Sequence, residues 1–196
     1  QEIAEFDPED RSALDNLERL FFQGEKWLDL IGILRRRVEM SPDPDERRQL
    51  LGRVAMLYEE ALEDPTESVR AWLTVLDERP EDLEAIRALA RLHEHAGKWS
   101  ELYDMLEREL ALVPDEASRV GLTYRLGELL HLQLDDAERA ISRYNQVLEA
   151  DRSHPGAREA LELLLSDESL CLQAAEILEP LYAAESSWQK LCEVYE

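Results

Sequence analysis

The chain has 196 residues, 44% hydrophobic and 34% charged, and its 45 acidic residues against 22 Lys plus Arg give a formal net charge of −23. A disordered chain would lack that apolar fraction, and no run approaches the ~18 apolar residues of a membrane span. Charge this negative repels phosphate backbones and anionic headgroups, which argues against nucleic acid and membrane surfaces as main partners; it keeps a long helical surface soluble or attracts a basic partner.

Gly is scarce, at 7 residues, and turn clusters bounding short strands are missing, while Leu, Ala, Glu and Arg dominate, so the chain reads as all-α. In chain order, helices are predicted over 12–23, 27–40, 45–62, 65–78, 82–95, 99–112, 115–133, 136–150, 155–165, 168–184 and 188–196. Gly24 and Gly97 stop a helix just before Trp27 and Trp99, "SPDPDE" and "VPDEAS" break the chain and offer Asp caps, and "EDPTE" and "LDDAE" restart it. Connections this short force neighbouring helices to be antiparallel.

Offset by 72 residues, the chain overlays itself. Ala13, Leu17, Leu20, Trp27, Leu30 and Leu34 meet Ala85, Leu89, Leu92, Trp99, Leu102 and Leu106. The match continues with Pro42, Asp43, Arg47, Leu50, Arg53, Leu57, Leu62 and Asp64 against Pro114, Asp115, Arg119, Leu122, Arg125, Leu129, Leu134 and Asp136. Trp72, Val75 and Leu76 then meet Tyr144, Val147 and Leu148, and a third copy begins at Ala157, Leu161 and Leu164. Most identities fall on apolar positions at helical spacing, so the repeat is structural. Each Trp opens the second helix of a hairpin and is expected as a lid over the preceding turn, with Leu three and seven positions on lining the seam.

Within each 72-residue unit the helices pair into two hairpins. "YRLGELL" supplies the small-and-large pair Leu126-Gly127, "AISRY" supplies Ala140 and Tyr144, and the preceding copy has Val54, Ala55 and Tyr58, then Ser68, Trp72 and Pro80. This resembles the tetratricopeptide repeat family, whose second helix carries A-x3-F with Pro at its exit. The resemblance implies one domain over 1–196, with hairpins at about 11–44, 45–81, 82–114, 115–153 and 154–184 and a partial repeat at 185–196. The expected architecture is a right-handed α-solenoid of antiparallel hairpins, each touching mainly its neighbours.

Chemistry that would make an enzyme is missing. His93 and His95 point about 200° apart on one helix, His131 and His154 are isolated, and no HExxH, phosphate loop or Gly-x-Ser-x-Gly elbow occurs. No catalysis, cofactor or metal is expected. Cys171 and Cys192 read as buried free thiols on apolar helical faces. The chain begins at Gln1 instead of Met, as an excised or processed piece would, and the absence of a signal peptide favours the cytoplasm.

In the family's architecture the first helix of each hairpin lines a concave groove. That register picks out Arg19, Met56, Arg87, Arg91, Tyr124, Glu128 and His131 as a partner-binding surface, with Arg87 and Arg91 one turn apart as a carboxylate fork and Tyr124 as an aromatic anchor. The leading expectation is a noncatalytic scaffold binding a protein or peptide, a basic partner being one that the charge allows. The alternatives are a helical-repeat RNA binder, which would need basic stripes, and a structural spacer within a larger repeat protein. The end of the chain, "SWQKLCEVYE", carries Trp188, Leu191, Cys192, Val194 and Tyr195. It is expected either to fold back as a cap or to stay open, for further repeats or for end-to-end self-association through Trp188, Leu191 and Tyr195.

Overall fold

The computed structural model describes residues 11–195, with side chains except at 11, 193 and 195. All its regular elements are helices: α1 Arg11–Gln23, α2 Trp27–Met40, α3 Pro44–Met56, α4 Pro65–Glu78, α5 Leu83–His95, α6 Trp99–Leu112, α7 Glu116–Leu132, α8 Ala137–Ala150, α9 Pro155–Leu164, α10 Cys171–Glu185 and α11 Trp188–Tyr195. They fall into two compact units, Gln1–Ala96 and Gly97–Glu196, the division lying inside the expected 82–114 hairpin. In each, helices pack on those before and after them in sequence.

The helix starts follow from caps. Asp43, Asp64, Asp82, Asp115 and Asp136 accept a hydrogen bond from a backbone N–H of the first turn they precede, and Pro44, Pro65 and Pro155 occupy positions where no N–H is missed. At α9 the cap is His154, whose Nδ1 accepts from the N–H of Ala157 at 3.2 Å. Helix α10 begins at Cys171, three residues later than the expected 168, because the Asp167 carboxylate accepts from the N–H and hydroxyl of Ser169 at 2.8 and 2.6 Å. That local turn competes with helix.

Two turn types alternate. Before α2, α6 and α11, the residue two positions ahead of each Trp is left-handed: Glu25, Gly97 and Ser186 have φ of 51°, 66° and 56°. In the first copy the helix ends directly before Gly24, as expected, and the left-handed residue is Glu25, one position on. Before α4 and α8, Glu63 and Asp135 have φ of 52° and 53°. There the backbone N–H groups of Asp64 and Asp136 reach back to the carbonyls of Tyr58 and Leu130 at 2.7 and 2.9 Å, whereas the turns at Glu25 and Ser186 are Schellman ends, closed by the N–H of Lys26 on Phe21 and of Ser187 on Tyr182 at 2.9 and 3.0 Å. The predicted helix 45–62 is α-helical only to Met56, and Leu57–Ala61 widens into a π turn.

In the first unit Leu14, Leu30, Leu34, Val54, Ala55, Trp72, Val75, Ile86 and Leu89 are buried, and in the second Leu126, Leu130, Tyr144, Val147, Leu161, Leu178 and Tyr182 are. Leu20, one of the repeated apolar positions, is 57% exposed, although Leu92, its counterpart one copy later, is buried. The tryptophan lids are only half-buried; Trp27 stands edge-on to Phe22 at 5.8 Å. Both cysteines are free, but Cys171 is half-buried and Cys192 exposed, so the expectation of buried thiols is corrected.

Candidate partner-binding faces

In the first unit the first helices of successive hairpins, α1, α3 with its π turn, and α5, are joined by ion pairs. Arg53 on α3 reaches Glu18 on α1 at 2.6 Å, and Arg91 on α5 reaches Glu59 in the π turn at 2.9 Å. Arg48 on α3 holds Asp82 at 2.7 Å and also pairs with Glu84. Burial pushes the Asp82 carboxyl up, but hydrogen bonds from Arg48 and from the N–H of Ala85 override it and hold the group below its usual range. Arg37 on α2 is a hub, 3.0 Å from Asp15, 2.6 Å from Glu18 and 3.4 Å from Glu46. It lines a cavity of about 140 Å³ with Leu14, Met40 and Ser41.

Arg19, Met56, Arg87 and Arg91 are exposed on these first helices, as the family's register implies. The fork is not idle, however. Arg91 is engaged by Glu59 on the neighbouring helix, and Arg87 is also engaged within the chain.

In the second unit the first helices are α7, α9 and α11, and rings do much of the joining. Tyr124 on α7 lies 4.7 Å from the His154 ring at the start of α9 and 6.0 Å from Tyr144 on α8. His131 meets Tyr144 edge-on at 6.3 Å. The Tyr124 ring fits against Gly156 so closely that a Cβ there would fall 2.5 Å from its hydroxyl oxygen. That hydroxyl donates to the Glu128 carboxylate; burial first, then Glu128 and Glu159, push the phenol up to about 12. Burial also raises Tyr144 and Tyr182 well above the ordinary tyrosine range. Lys190 on α11 reaches Glu162 on α9 at 2.6 Å. Tyr124, Glu128 and His131 are therefore brought into one half-buried group, with Tyr124 serving the contact between hairpins as well as the surface.

Residues 85–120 match the family model of the tetratricopeptide repeat. Together with successive antiparallel hairpins on both sides of that stretch, the match decides the architecture. The chain has the tetratricopeptide-repeat fold. A tetratricopeptide repeat protein from Parabacteroides merdae superposes with a TM-score of 0.53 at 14% identity, covering 94% of this chain and 72% of that one. MamA superposes at 0.51 with 14% identity, covering 91% and 93%. The human IFIT1 dimer with PPP-AAAA does so at 0.50 with 16% identity, covering 91% and 44%. These likenesses are of fold. By sequence, none of the curated proteins matches the chain.

Sequence reasoning had missed His154, Gly156 and Glu159 as parts of the Tyr124 group. A tyrosine and a glycine 32 residues apart carry no periodic signal, and only the register between α7 and α9 joins them. At the end of the chain Trp188 is 66% exposed, whereas Leu191 is half-buried against the core of the second unit. The Tyr195 side chain lies outside the described residues. No described helix is long and apolar enough to cross a membrane, and among the described residues no group of three or more His, Cys, Asp or Glu could hold a metal.

Proposed function

We propose that the chain is a noncatalytic scaffold that holds a peptide or partner domain against the first helices of its hairpins. The supporting observation is that these helices are fixed side by side within each unit, by Arg53–Glu18 and Arg91–Glu59 in one and Tyr124–His154 and Lys190–Glu162 in the other. The first unit offers Arg19, Met56, Arg87 and Arg91 to solvent, and the second offers Tyr124, Glu128 and His131. Fixed helices bearing aromatic, apolar and charged groups supply preorganised anchor points with little ordering cost on binding. Protein is favoured over RNA because a net charge of −23 opposes the counterion release that drives nucleic-acid binding. The PPP-AAAA of the human neighbour belongs to that protein.

Selection from a displayed library of random peptides tests the reading. Enriched peptides are expected to bind saturably, and Met56→Glu with Arg87→Glu, or Glu128→Lys with His131→Glu, is expected to weaken them without changing helicity. Tight, salt-sensitive binding to a random single-stranded oligonucleotide would favour the RNA reading. Enrichment no greater than on an unrelated helical protein, with no oligonucleotide bound, would leave a structural spacer.

The exposed indole of Trp188 favours a second reading, in which two copies meet at that end of the second unit. Sedimentation across a wide concentration range should show association that Trp188→Glu suppresses; a wild-type chain monomeric throughout contradicts it.

A further inference from the structure

On the face of the second unit formed by α7 and α9, two cations of the counterpart face, Arg87 and Arg91, give way to Glu159 and Leu163. In the first unit, Met56 and Arg87 occupy the places of Glu128 and Glu159, and Glu59 and Arg91 those of His131 and Leu163, one copy earlier. The carboxylates that join helices elsewhere are matched: Glu18 with Arg53, Glu59 with Arg91, Asp82 with Arg48, Glu107 with Arg143, Glu162 with Lys190 and Glu185 with Arg158. Glu128 instead accepts a phenol hydrogen bond from Tyr124, and Glu159 is exposed on the neighbouring helix, near enough to that phenol to raise it. One helical turn beyond each carboxylate stands an exposed leucine, Leu132 at 66% and Leu163 at 72%. Two carboxylates and two leucines thus lie in matching order on two adjacent first helices, beside the rings of Tyr124 and His154.

We infer that this face docks a basic peptide segment, with a lysine or arginine between Glu128 and Glu159 beside Tyr124 and an apolar residue of the same segment on Leu132 and Leu163. Charge complementarity selects the occupant. A cation gains two charge-assisted hydrogen bonds and an aromatic face, whereas an acidic peptide or a phosphate would meet two carboxylates inside a strongly acidic molecule. The leucines add apolar area that a free cation could not use, so the ligand is a peptide with both features. The inference rests on the scaffold reading and places the ligand class on one unit.

The test uses the full chain and a fluorescent, amidated dodecapeptide alternating lysine with leucine, at about 0.15 M salt so that long-range attraction is screened. Two further probes replace its lysines by glutamate or its leucines by serine. Saturable binding of the first probe only is expected. Glu128→Gln with Glu159→Gln should weaken it by about tenfold or more, because glutamine still accepts the Tyr124 hydroxyl but offers no charge. Glu101→Gln with Asp104→Asn, an equal charge change on exposed positions of α6, should leave affinity within about twofold. Leu132→Ser with Leu163→Ser should weaken the lysine–leucine probe but leave any residual affinity for the lysine–serine probe unchanged. The inference is overturned if the first probe does not bind, if both charge variants weaken it equally, or if neither does. Peptides still enriched from the random library would then keep the scaffold reading standing with its site elsewhere, and loss of both would remove the two together.

Discussion

Gly52 and Tyr124 occupy the same place on α3 and α7, 72 residues apart, and Trp72 and Tyr144 the same place on α4 and α8, yet bulk is distributed oppositely in the two copies. In the first, the large indole of Trp72 reaches toward Gly52, where a Cβ would sit 3.4 Å from the end of the ring. In the second, the shorter Tyr144 ring turns onto Gly127, where a Cβ would fall 2.7 Å from it, and Tyr124 fills the space near the end of that ring. The next first helix answers in kind. Gly156 receives the Tyr124 ring, whereas its counterpart Glu84 pairs with Arg48. The layer conserves volume and not residue identity, as close-packed interiors require. The choice has a surface consequence: a joint made of arginine and carboxylate consumes its own charges, and a joint made of rings leaves neighbouring carboxylates for a partner.

Exchanging the glycines separates the copies most strongly. Gly127→Ala drives a methyl into the buried Tyr144 ring and should cost about 1–3 kcal/mol, lowering the melting temperature by several degrees. Gly52→Ala meets only ordinary contact with Trp72 and should be neutral or stabilising by up to about 1 kcal/mol, since alanine is the better helix former. Thermal melts of the two variants decide it; equal effects would mean that the copies do not differ as described. Next comes Gly156→Ala, whose methyl meets the tip of Tyr124, a side chain with some freedom to move. A cost of about 1 kcal/mol is expected, cancelled when Tyr124→Ala is present, so the double-mutant cycle should show coupling of about that size. In the first unit, Asp82→Ala removes both the cap on Ala85 and the partner of Arg48 and should cost about 1 kcal/mol.

These contrasts mark where sequence reasoning succeeds. Trp27–Met40, Pro65–Glu78 and Trp99–Leu112 begin and end where punctuation placed them: Asp64 caps the second, with Pro65 in its first turn, and the left-handed residues Glu25 and Gly97 stand just before the other two, all acting within a few residues of chain. Exposure of Arg19, Met56, Arg87 and Arg91 followed from the family's register laid on the first helices. What period cannot supply is the partner on another helix. Glu59 for Arg91, Gly156 for Tyr124 and Arg48 for Asp82 are fixed by how consecutive hairpins register, and the left-handed turns at Glu25, Glu63, Asp135 and Ser186 are held by backbone bonds that non-glycine residues do not announce.

The smallest expected effects are those of pH, and their signs are opposite in the two copies. Asp82 has a folded-state pKa below its ordinary value, because hydrogen bonds from Arg48 and Ala85 outweigh burial. Its contribution is therefore complete above the unfolded value near 4 and is lost as pH falls through the lower folded value. Tyr124 is raised, by burial first and by Glu128 and Glu159 after it, to about 12. Its contribution is complete below the unfolded value near 10 and is lost as pH rises from there through the folded value. Stability measured against pH should then give two differences. Wild type minus Asp82→Asn should be flat above about pH 5 and shrink below about pH 4, while wild type minus Tyr124→Phe should be flat to about pH 10 and fall beyond it. A difference for Asp82→Asn that persists unchanged into acid would show that Arg48 does not hold the carboxylate in solution. A Tyr124→Phe difference that stays flat into alkali would remove Glu128 and Glu159 from the phenol, and with them the paired carboxylates on which the basic-peptide face depends.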